Sequence, residues 1–411
     1  MSTPLIGQTQ RLPTGGLVDR GVALPFRFDG RDLVGLGGDT LASALLANGV
    51  RLVGRSFKFH RPRGIMTAGS EEPNALVELR DGARREPNTP ATMIELFAGL
   101  QATSQNRFPS LRFDLMAMNQ LFSPLIKAGF YYKTFMWPSS FWERFYEPLI
   151  RRAAGLGRSS GVSDPDLYDR ANLFCDVLVI GAGAAGLAAA LAAGRRGARV
   201  VLCDEDYVPG GRLLAERAVV DGQPGVEWAA AAAAELASLP EVRVLRRTTV
   251  FGVYDHGTYG ALERVADHVP QPELHAPRQR YWRIVARRAV LAAGATERPL
   301  VFAGNDRPGV MLAGAVRAYL NRFAVAPGGA VVIAASGDEG WRTVADCVRH
   351  GVRVEAVVDR RADVPAALQV VATQAGARTF AGGRSWTSSK AERVWPAFTP
   401  LPIATIPMAL R

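Results

Sequence analysis

From Val22 to Phe28 apolar and polar positions alternate, the pattern of a half-buried strand. Asp29-Gly30 supplies a tight turn, and Arg31 to Gly35 reads as the return strand. Gly38-Asp39-Thr40 then introduces a helix through Asn48, with Asp39 or Thr40 as N-cap and Gly49 as its stop. The basic, glycine-broken stretch from Phe57 to Gly69 predicts a loop, and Ala75 to Leu79 alternates again as a strand. Residues 1–95 therefore read as a small α/β unit. From Pro87 to Pro165 the texture changes to Phe, Tyr, Trp, Met and Pro, with short helices predicted over Thr92 to Gln101 and Phe141 to Arg152. Residues 96–165 are expected to wrap another domain or a partner chain and to end in a Ser/Gly/Pro linker that starts at Arg158.

From Tyr168 the pattern turns to strand–helix–strand, the α/β type. Val177 to Ile180 is an apolar run of the kind found in parallel strands, and it leads into Gly181-Ala-Gly-Ala-Ala-Gly186. Gly181 permits a tight turn, Gly183 lets backbone approach a pyrophosphate, and Gly186 lets the helix lie close on the strand. The helix N-terminus, where Ala184 and Ala185 stand, offers free N–H groups and a partial positive charge to phosphate. A second strand from Arg199 to Cys203 ends in Asp204, where a carboxylate is expected to grip the adenosine ribose, with Glu205 as the adjacent alternative. An acid there favours a free 2′-hydroxyl, hence FAD or NAD over NADP. Gly211 and Arg212 are read either as a simple turn or as a cofactor-contacting loop. Val250, on a strand from Thr248 to Val253, is placed beside the adenine. Ala293 and Gly294 are placed at the end of a buried strand from Ala289 to Gly294.

A second strand–helix–strand unit follows, with strands at Ala330 to Ala334 and Val352 to Asp359 around a helix from Glu339 to His350. Its loop, Ala335-Ser-Gly-Asp-Glu-Gly340, lacks the first glycine and carries two acids that would repel a pyrophosphate. It is expected to keep the fold with no nucleotide bound. The predicted domains are thus 1–95, 96–165, a dinucleotide-binding domain at 166–320, the second nucleotide-like unit at 321–384 and an atypical tail at 385–411, rich in Trp and Pro.

Composition narrows the function classes. The chain has 411 residues, 48% of them hydrophobic, enough for two or three domains. The formal charge is +11, nearly all from arginines spread along the chain, and no basic run alternates with aromatics. A solvated arginine-rich surface explains this charge better than nucleic acid does. Val177 to Gly194 approaches the length of a membrane span, but its glycine spacing marks a buried strand and helix. The N-terminus lacks the pattern of a secretory signal, and Cys175, Cys203 and Cys347 lie far apart, so a reducing cytoplasm fits. The five histidines show no metal-ligand spacing, and His350 falls at a helix end. No catalytic acid, base or nucleophile is identifiable.

Four segments together resemble the α subunit of heterotetrameric sarcosine oxidase: Gly38 to Gly49, the Ser56-Phe-Lys-Phe-His-Arg-Pro-Arg-Gly64 loop, the glycine fingerprint with Pro209-Gly-Gly-Arg212, and Ala293 to Pro299 through Asn305-Asp-Arg-Pro-Gly309. The resemblance spans about residues 10 to 384. It implies a ferredoxin-like β-grasp domain, a Rossmann-type FAD/NAD-binding domain with an inserted, degenerate second Rossmann unit, and NAD in the first unit. It further implies smaller subunits together with a β-type flavoprotein subunit, FAD and FMN bound with those partners, and oxidative demethylation of sarcosine with transfer of a one-carbon unit to folate. Related heteromeric proline, opine and cyanide-forming dehydrogenases share much of the pattern. Because no cysteine precedes Cys175, the first domain is expected to hold no iron–sulfur cluster. The family's folate-binding domain is absent, and a truncated subunit is expected. A non-catalytic nucleotide-binding scaffold is the competing class.

Overall fold

The computed structural model describes residues 7–124, 129, 137–153, 155, 157–302, 304–382 and 404–405. The first alternating run forms the hairpin β1 (Asp19–Phe28) and β2 (Arg31–Gly37), paired antiparallel. Asp29 and Gly30 both take positive φ, 48° and 76°, the geometry that an Asp-Gly turn supplies most cheaply. In α1 (Leu41–Ala47) every side chain is buried. Thr40 is the N-cap: its hydroxyl accepts from the Ser43 N–H, and Ser43 Oγ accepts from the Thr40 N–H. Asp39, the other candidate, accepts from the Leu36 N–H and from Ser43 Oγ and pairs with Arg11.

The short pair β3 (Gly54–Arg55) and β4 (Pro62–Arg63) lies in and beside the expected loop. β5 (Leu76–Leu79), β6 (Glu86–Pro90) and β7 (Leu100–Ser104) complete a sheet of order β2-β1-β7-β5-β6, with β7 parallel to β1. The predicted helix from Thr92 to Gln101 is corrected here. Gly99 enters the left-handed region at φ 83°, and Leu100, Ala102 and Ser104 then alternate inward with a period of two. A central strand of the first sheet therefore lies beyond residue 95. Further on, the predicted helix from Phe141 is present, ending in α2 (Glu147–Ala153). Part of the aromatic run, Phe130 to Met136, lies outside the described residues.

The next layer is built from β8 (Tyr168–Ile180), α3 (Ala184–Gly194), β9 (Val200–Cys203), the pair β10 (Val219–Val220) and β11 (Gln223–Pro224), α4 (Gly225–Ser238), β12 (Val242–Leu245), β13 (Thr248–Tyr254), β14 (Thr258–Glu263) and β15 (Gln279–Leu291). The sheet order is β12-β9-β8-β15-β14-β13; the first four strands are parallel, and β14 and β13 extend them antiparallel. One face carries α3 and α4 over Val179, Leu187 and Leu236; the other buries Cys175, Trp282 and Ile284. The expected buried strand from Ala289 to Gly294 is a second correction. β15 ends at Leu291, which is 79% exposed, because the buried cluster that takes in Trp282, Ile284 and Ala286 does not reach the strand's end.

The chain continues through α5 (Ala313–Asn321), β16 (Ala330–Ala335), α6 (Asp338–Arg349), β17 (Arg353–Asp359), α7 (Ala366–Gln374), β18 (Arg378–Phe380) and β19 (Ala404–Thr405). Their strands form a parallel sheet of order β18-β17-β16-β19. This unit shares one apolar core with the first domain, in which Phe26 and Leu45 join Tyr319, Phe323 and Trp341. Among the described residues the chain does not return to the six-stranded sheet after β15. Apart from β19, the tail expected at 385–411 lies outside the described residues.

Candidate dinucleotide-binding site

The glycine loop between β8 and α3 is built as tightly as its residues allow. Gly181 sits at φ 100°, and a β-carbon there would collide with the Ala292 carbonyl. A β-carbon at Gly186 would overlap the Gly181 carbonyl oxygen, so α3 can lie against the end of β8 only as glycine. Gly183 differs from both. It is the N-cap of α3, and a β-carbon built on it would meet nothing within 4 Å. The open space stands directly over the helix N-terminus, where Ala184 and Ala185 begin the first turn, with Ala185 exposed. Free N–H groups and the helix dipole favour an anion there.

Gly211 crosses this loop: a β-carbon on it would come within 3.0 Å of Gly183 Cα, and the neighbouring Gly210 N–H donates to the Ala182 carbonyl at 2.8 Å. Of the two readings of this turn, the structure gives Gly211 a place against the loop. Arg212 points elsewhere. Its guanidinium holds Glu216 and reaches Glu339 at the start of α6.

Asp204 ends β9 as expected. Its carboxylate accepts from the Ala182 N–H within the glycine loop and, at 2.8 Å, from the Asp206 N–H. Burial pushes its pKa up to about 6 against the pull of those two donors. Asp204 thus braces the loop. Glu205, beside it, accepts from Ser70 Oγ of the first domain at 2.8 Å. Val250 lies on β13, whose first residue Thr248 donates its N–H to the Asp204 carbonyl at 2.7 Å. The segment after β15 passes behind the loop, where the Ala292 N–H bonds the Ile180 carbonyl; Ala293 and Gly294 follow, both exposed. The structure therefore gathers Gly181, Gly183, Ala184, Ala185, Gly186, Asp204 and Gly211 around one loop. Glu205 and Val250 extend it along the end of β9, and Arg212 turns away.

Residues beyond that set hold the acidic turn after β9. Tyr207 Oη donates to the Gly38 carbonyl at 2.6 Å, and Arg322 forks onto Asp206 at 2.5 and 2.8 Å. Arg264 bridges the Met93 and Glu205 carbonyls, both at 2.5 Å, and Arg247 pairs with Glu95. A second clasp joins the segment around β4 to the chain before α5. Arg61 and Arg63 hold the buried Asp306 at 2.8 and 3.1 Å, and a β-carbon at Gly64 would come within 2.6 Å of Pro308 Cα. These partners are far apart in sequence and have no local pattern to announce them.

In the last unit the glycine-poor loop is filled by its own side chains. Asp359, at the end of β17, is buried and accepts from Trp341 Nε1 at 2.7 Å and from the Arg361 guanidinium. Asp338 pairs with Arg361, and Glu339 with Arg317 and Arg342. His350 caps α6 and bonds Asn321.

Comparison with known proteins follows the same division. Residues 22–107 match the family described as 2Fe-2S iron-sulfur cluster binding domain, and residues 175–333 match pyridine nucleotide-disulphide oxidoreductase. The sarcosine oxidase α subunit of Rhizobium meliloti (strain 1021) is 61% identical over 351 residues, covering 85% of this chain and 36% of that protein. The α subunit of the same oxidase from Corynebacterium sp. (strain P-1) is 41% identical over 370 residues, covering 89% and 33%. An opine oxidase subunit of Agrobacterium tumefaciens (strain Ach5) is 34% identical over 199 residues, covering 45% and 37%. L-proline dehydrogenase from P. horikoshii shares the fold, with a TM-score of 0.56 at 20% identity over 84% of this chain and 55% of that one. The resemblance seen in the sequence is borne out, as is a ferredoxin-like domain followed by a Rossmann-type one. The chain spans about a third of the length of the curated relatives it matches, 36% and 33% in the first two.

One expectation is overturned. The first domain was expected to hold no iron–sulfur cluster, whereas residues 22–107 match a 2Fe-2S cluster-binding family. The donor set does not fit thiolate ligation. Cys175, Cys203 and Cys347 all lie outside residues 22–107 and are buried in β8, β9 and α6, where burial pushes their thiols up to about 11, 12 and 12. Among the described residues no group of three His, Cys, Asp or Glu side chains is placed to hold a metal ion. Among the described residues, too, no helix is long and apolar enough to cross a membrane.

Proposed function

We propose that this chain, a member by sequence of the sarcosine oxidase α-subunit family, is the dinucleotide-binding part of a multi-subunit flavin-dependent amine oxidase that takes sarcosine. The observation that carries this reading is the open space over Gly183 at the N-terminus of α3, beside two glycines that admit no side chain. The pyrophosphate of NAD or FAD lies over Gly183, Ala184 and Ala185, and the adenosine end runs toward Glu205 and Val250. Such a cofactor supplies the acceptor for the electrons of a C–N bond oxidation. The chain's own part is to bind, orient and shield it; the described residues present no acid–base pair of their own beside the loop.

The last unit is a degenerate nucleotide fold that binds none. Its terminal acid is spent on Trp341 and Arg361, and its helix N-terminus faces Asp338 and Glu339. The substrate is a small amine, and the partners are smaller subunits together with a β-type flavoprotein subunit. Phe113, Leu121, Trp137, Phe145 and Leu149 are all more than half exposed and suit a contact with such a partner. The test is hydrogen peroxide formation from sarcosine after the chain is combined with the remaining subunits. Sarcosine-dependent peroxide, lost when Gly183 is replaced by Leu, supports the reading. Bound dinucleotide without turnover in the full assembly would make the chain a scaffold.

A further inference from the structure

The turn that follows β9 is enclosed by another domain. Glu205 stands in this turn, next to Asp204. Here the Gly69-Ser70-Glu71 segment of the first domain comes up beside it. Ser70 Oγ donates to Glu205 Oε1 at 2.8 Å. Glu71 lies close enough to Glu205 that, after burial, the charges of Glu72 and Glu205 help to push its carboxyl above the ordinary range. Glu72 itself is buried and fully used: its two oxygens accept from the Met66, Thr67, Asn74 and Ala75 N–H groups at 2.7 to 3.0 Å. The segment is therefore fixed in place by its own carboxylate anchor, and is no loose loop that happens to lie near. Arg264, spanning the Met93 and Glu205 carbonyls, locks the same face from the other side.

We propose that Ser70 and Glu71 form part of the adenosine subsite, so that the dinucleotide is recognised across the boundary between the first domain and the Rossmann unit. Asp204 is occupied by the Ala182 and Asp206 N–H groups, which leaves Glu205 as the carboxylate free to meet the ribose. Ser70 holds Glu205 in position for a 2′-hydroxyl. Glu71, the residue next to Ser70, brings a second carboxyl to the same side of the subsite. The ligand class is a dinucleotide with an unsubstituted adenosine ribose, NAD or FAD, and the first domain contributes to rejecting NADP. This rests on the reading that the first glycine loop binds the dinucleotide.

Isothermal titration of the full chain with NAD, FAD and NADP separates the two claims. Wild type is expected to bind NAD or FAD and to bind NADP at least about tenfold more weakly, as a charge placed against two carboxylates requires. Glu71→Gln should narrow that preference about threefold or more with little change in NAD or FAD binding. Ser70→Ala should weaken the preferred dinucleotide about fivefold, the loss of one hydrogen bond to a charged group, and Ser70→Thr should restore it. The thermal midpoint of each variant, measured alongside, should stay near wild type, which a merely structural role for Ser70 would not allow. Gly183→Leu serves as the control for the loop itself. Dinucleotide binding that is abolished by Gly183→Leu but indifferent to Ser70 and Glu71 would overturn the proposal and leave the loop assignment intact. A wild-type chain that binds none of the three would overturn both.

Discussion

The two glycine-bearing loops of this chain have almost the same backbone setting and opposite surroundings. Each leaves a parallel strand, enters a helix through a glycine N-cap in extended conformation, and is followed by a second strand with Asp at its end or directly after it. At the first, Gly181 and Gly186 admit no β-carbon and nothing stands in front of Gly183. At the second, the N-cap Gly337 also has free space for a β-carbon, but Asp338 and Glu339 occupy the first helical turn and are tied to arginines. The terminal acids differ as much. Asp204 meets only backbone donors, whereas Asp359 is buried against an indole and a guanidinium. A strand–loop–helix–strand frame therefore says little about binding. Both terminal acids are engaged by the protein, so what separates the loops is the helix N-terminus, open over Gly183 and closed by ion-paired acids at the second loop.

The comparison breaks most sharply at the third glycine. Gly186→Val puts side-chain atoms into the Gly181 carbonyl and is expected to cost about 3 kcal/mol or more, since helix and strand must separate. Gly337→Ala, at φ −162° with open space, should stay within about 0.5 kcal/mol. Urea unfolding midpoints at constant slope measure both. Next in size is Trp341→Phe. It removes a donor from buried Asp359 and should cost about 1–2 kcal/mol without changing dinucleotide content.

The smallest effect has opposite signs at the two acids. Asp204 has its pKa raised, to about 6 from 3.8, by burial. The folded state then holds this proton more tightly than the unfolded state does, so its contribution is most favourable below about pH 4 and is lost as pH rises through 6. Burial alone would also raise Asp359, but the Arg361 and Trp341 donors outweigh it and lower its pKa. Its contribution is present above the unfolded value and fades on acidification. Asp204→Asn should therefore flatten the fall in stability between about pH 4 and 6, by on the order of 1 kcal/mol, and Asp359→Asn should flatten the loss below about pH 4. Equal pH profiles for the two variants would remove the distinction drawn between these acids.

What could be read from the chain beforehand follows the range of the interactions involved. The β1–β2 turn, the Thr40 cap, the first glycine loop and both strand–helix–strand frames are local, and each was legible from residues a few positions apart. β7 was not, because Thr92 to Gln101 has a helix-like apolar spacing and only pairing with β1 and β5 makes Leu100 to Ser104 a strand. The exposure of Leu291 was hidden for the converse reason: an apolar run looks buried until the layer that should cover it is known to stop short. At the site, the glycine spacing and the position of Asp204 after β9 could be read locally, but its bonds to the Ala182 and Asp206 N–H groups could not. The hold on Asp306 by Arg61 and Arg63 and the approach of Ser70 to Glu205 come from residues more than a hundred positions apart, and no periodicity records them. The match of the first domain to a 2Fe-2S cluster-binding family was equally invisible to cysteine arithmetic, which counts thiols and not the fold around them.

The contrast between the two loops comes down to which of them holds the cofactor. Dinucleotide released per chain on denaturation should be quantified for wild type, Gly183→Leu and Gly337→Leu, each purified with its natural partners. Cofactor is expected in wild type and in Gly337→Leu, and its loss in Gly183→Leu. Cofactor retained in Gly183→Leu and lost in Gly337→Leu would contradict the assignment of the first loop.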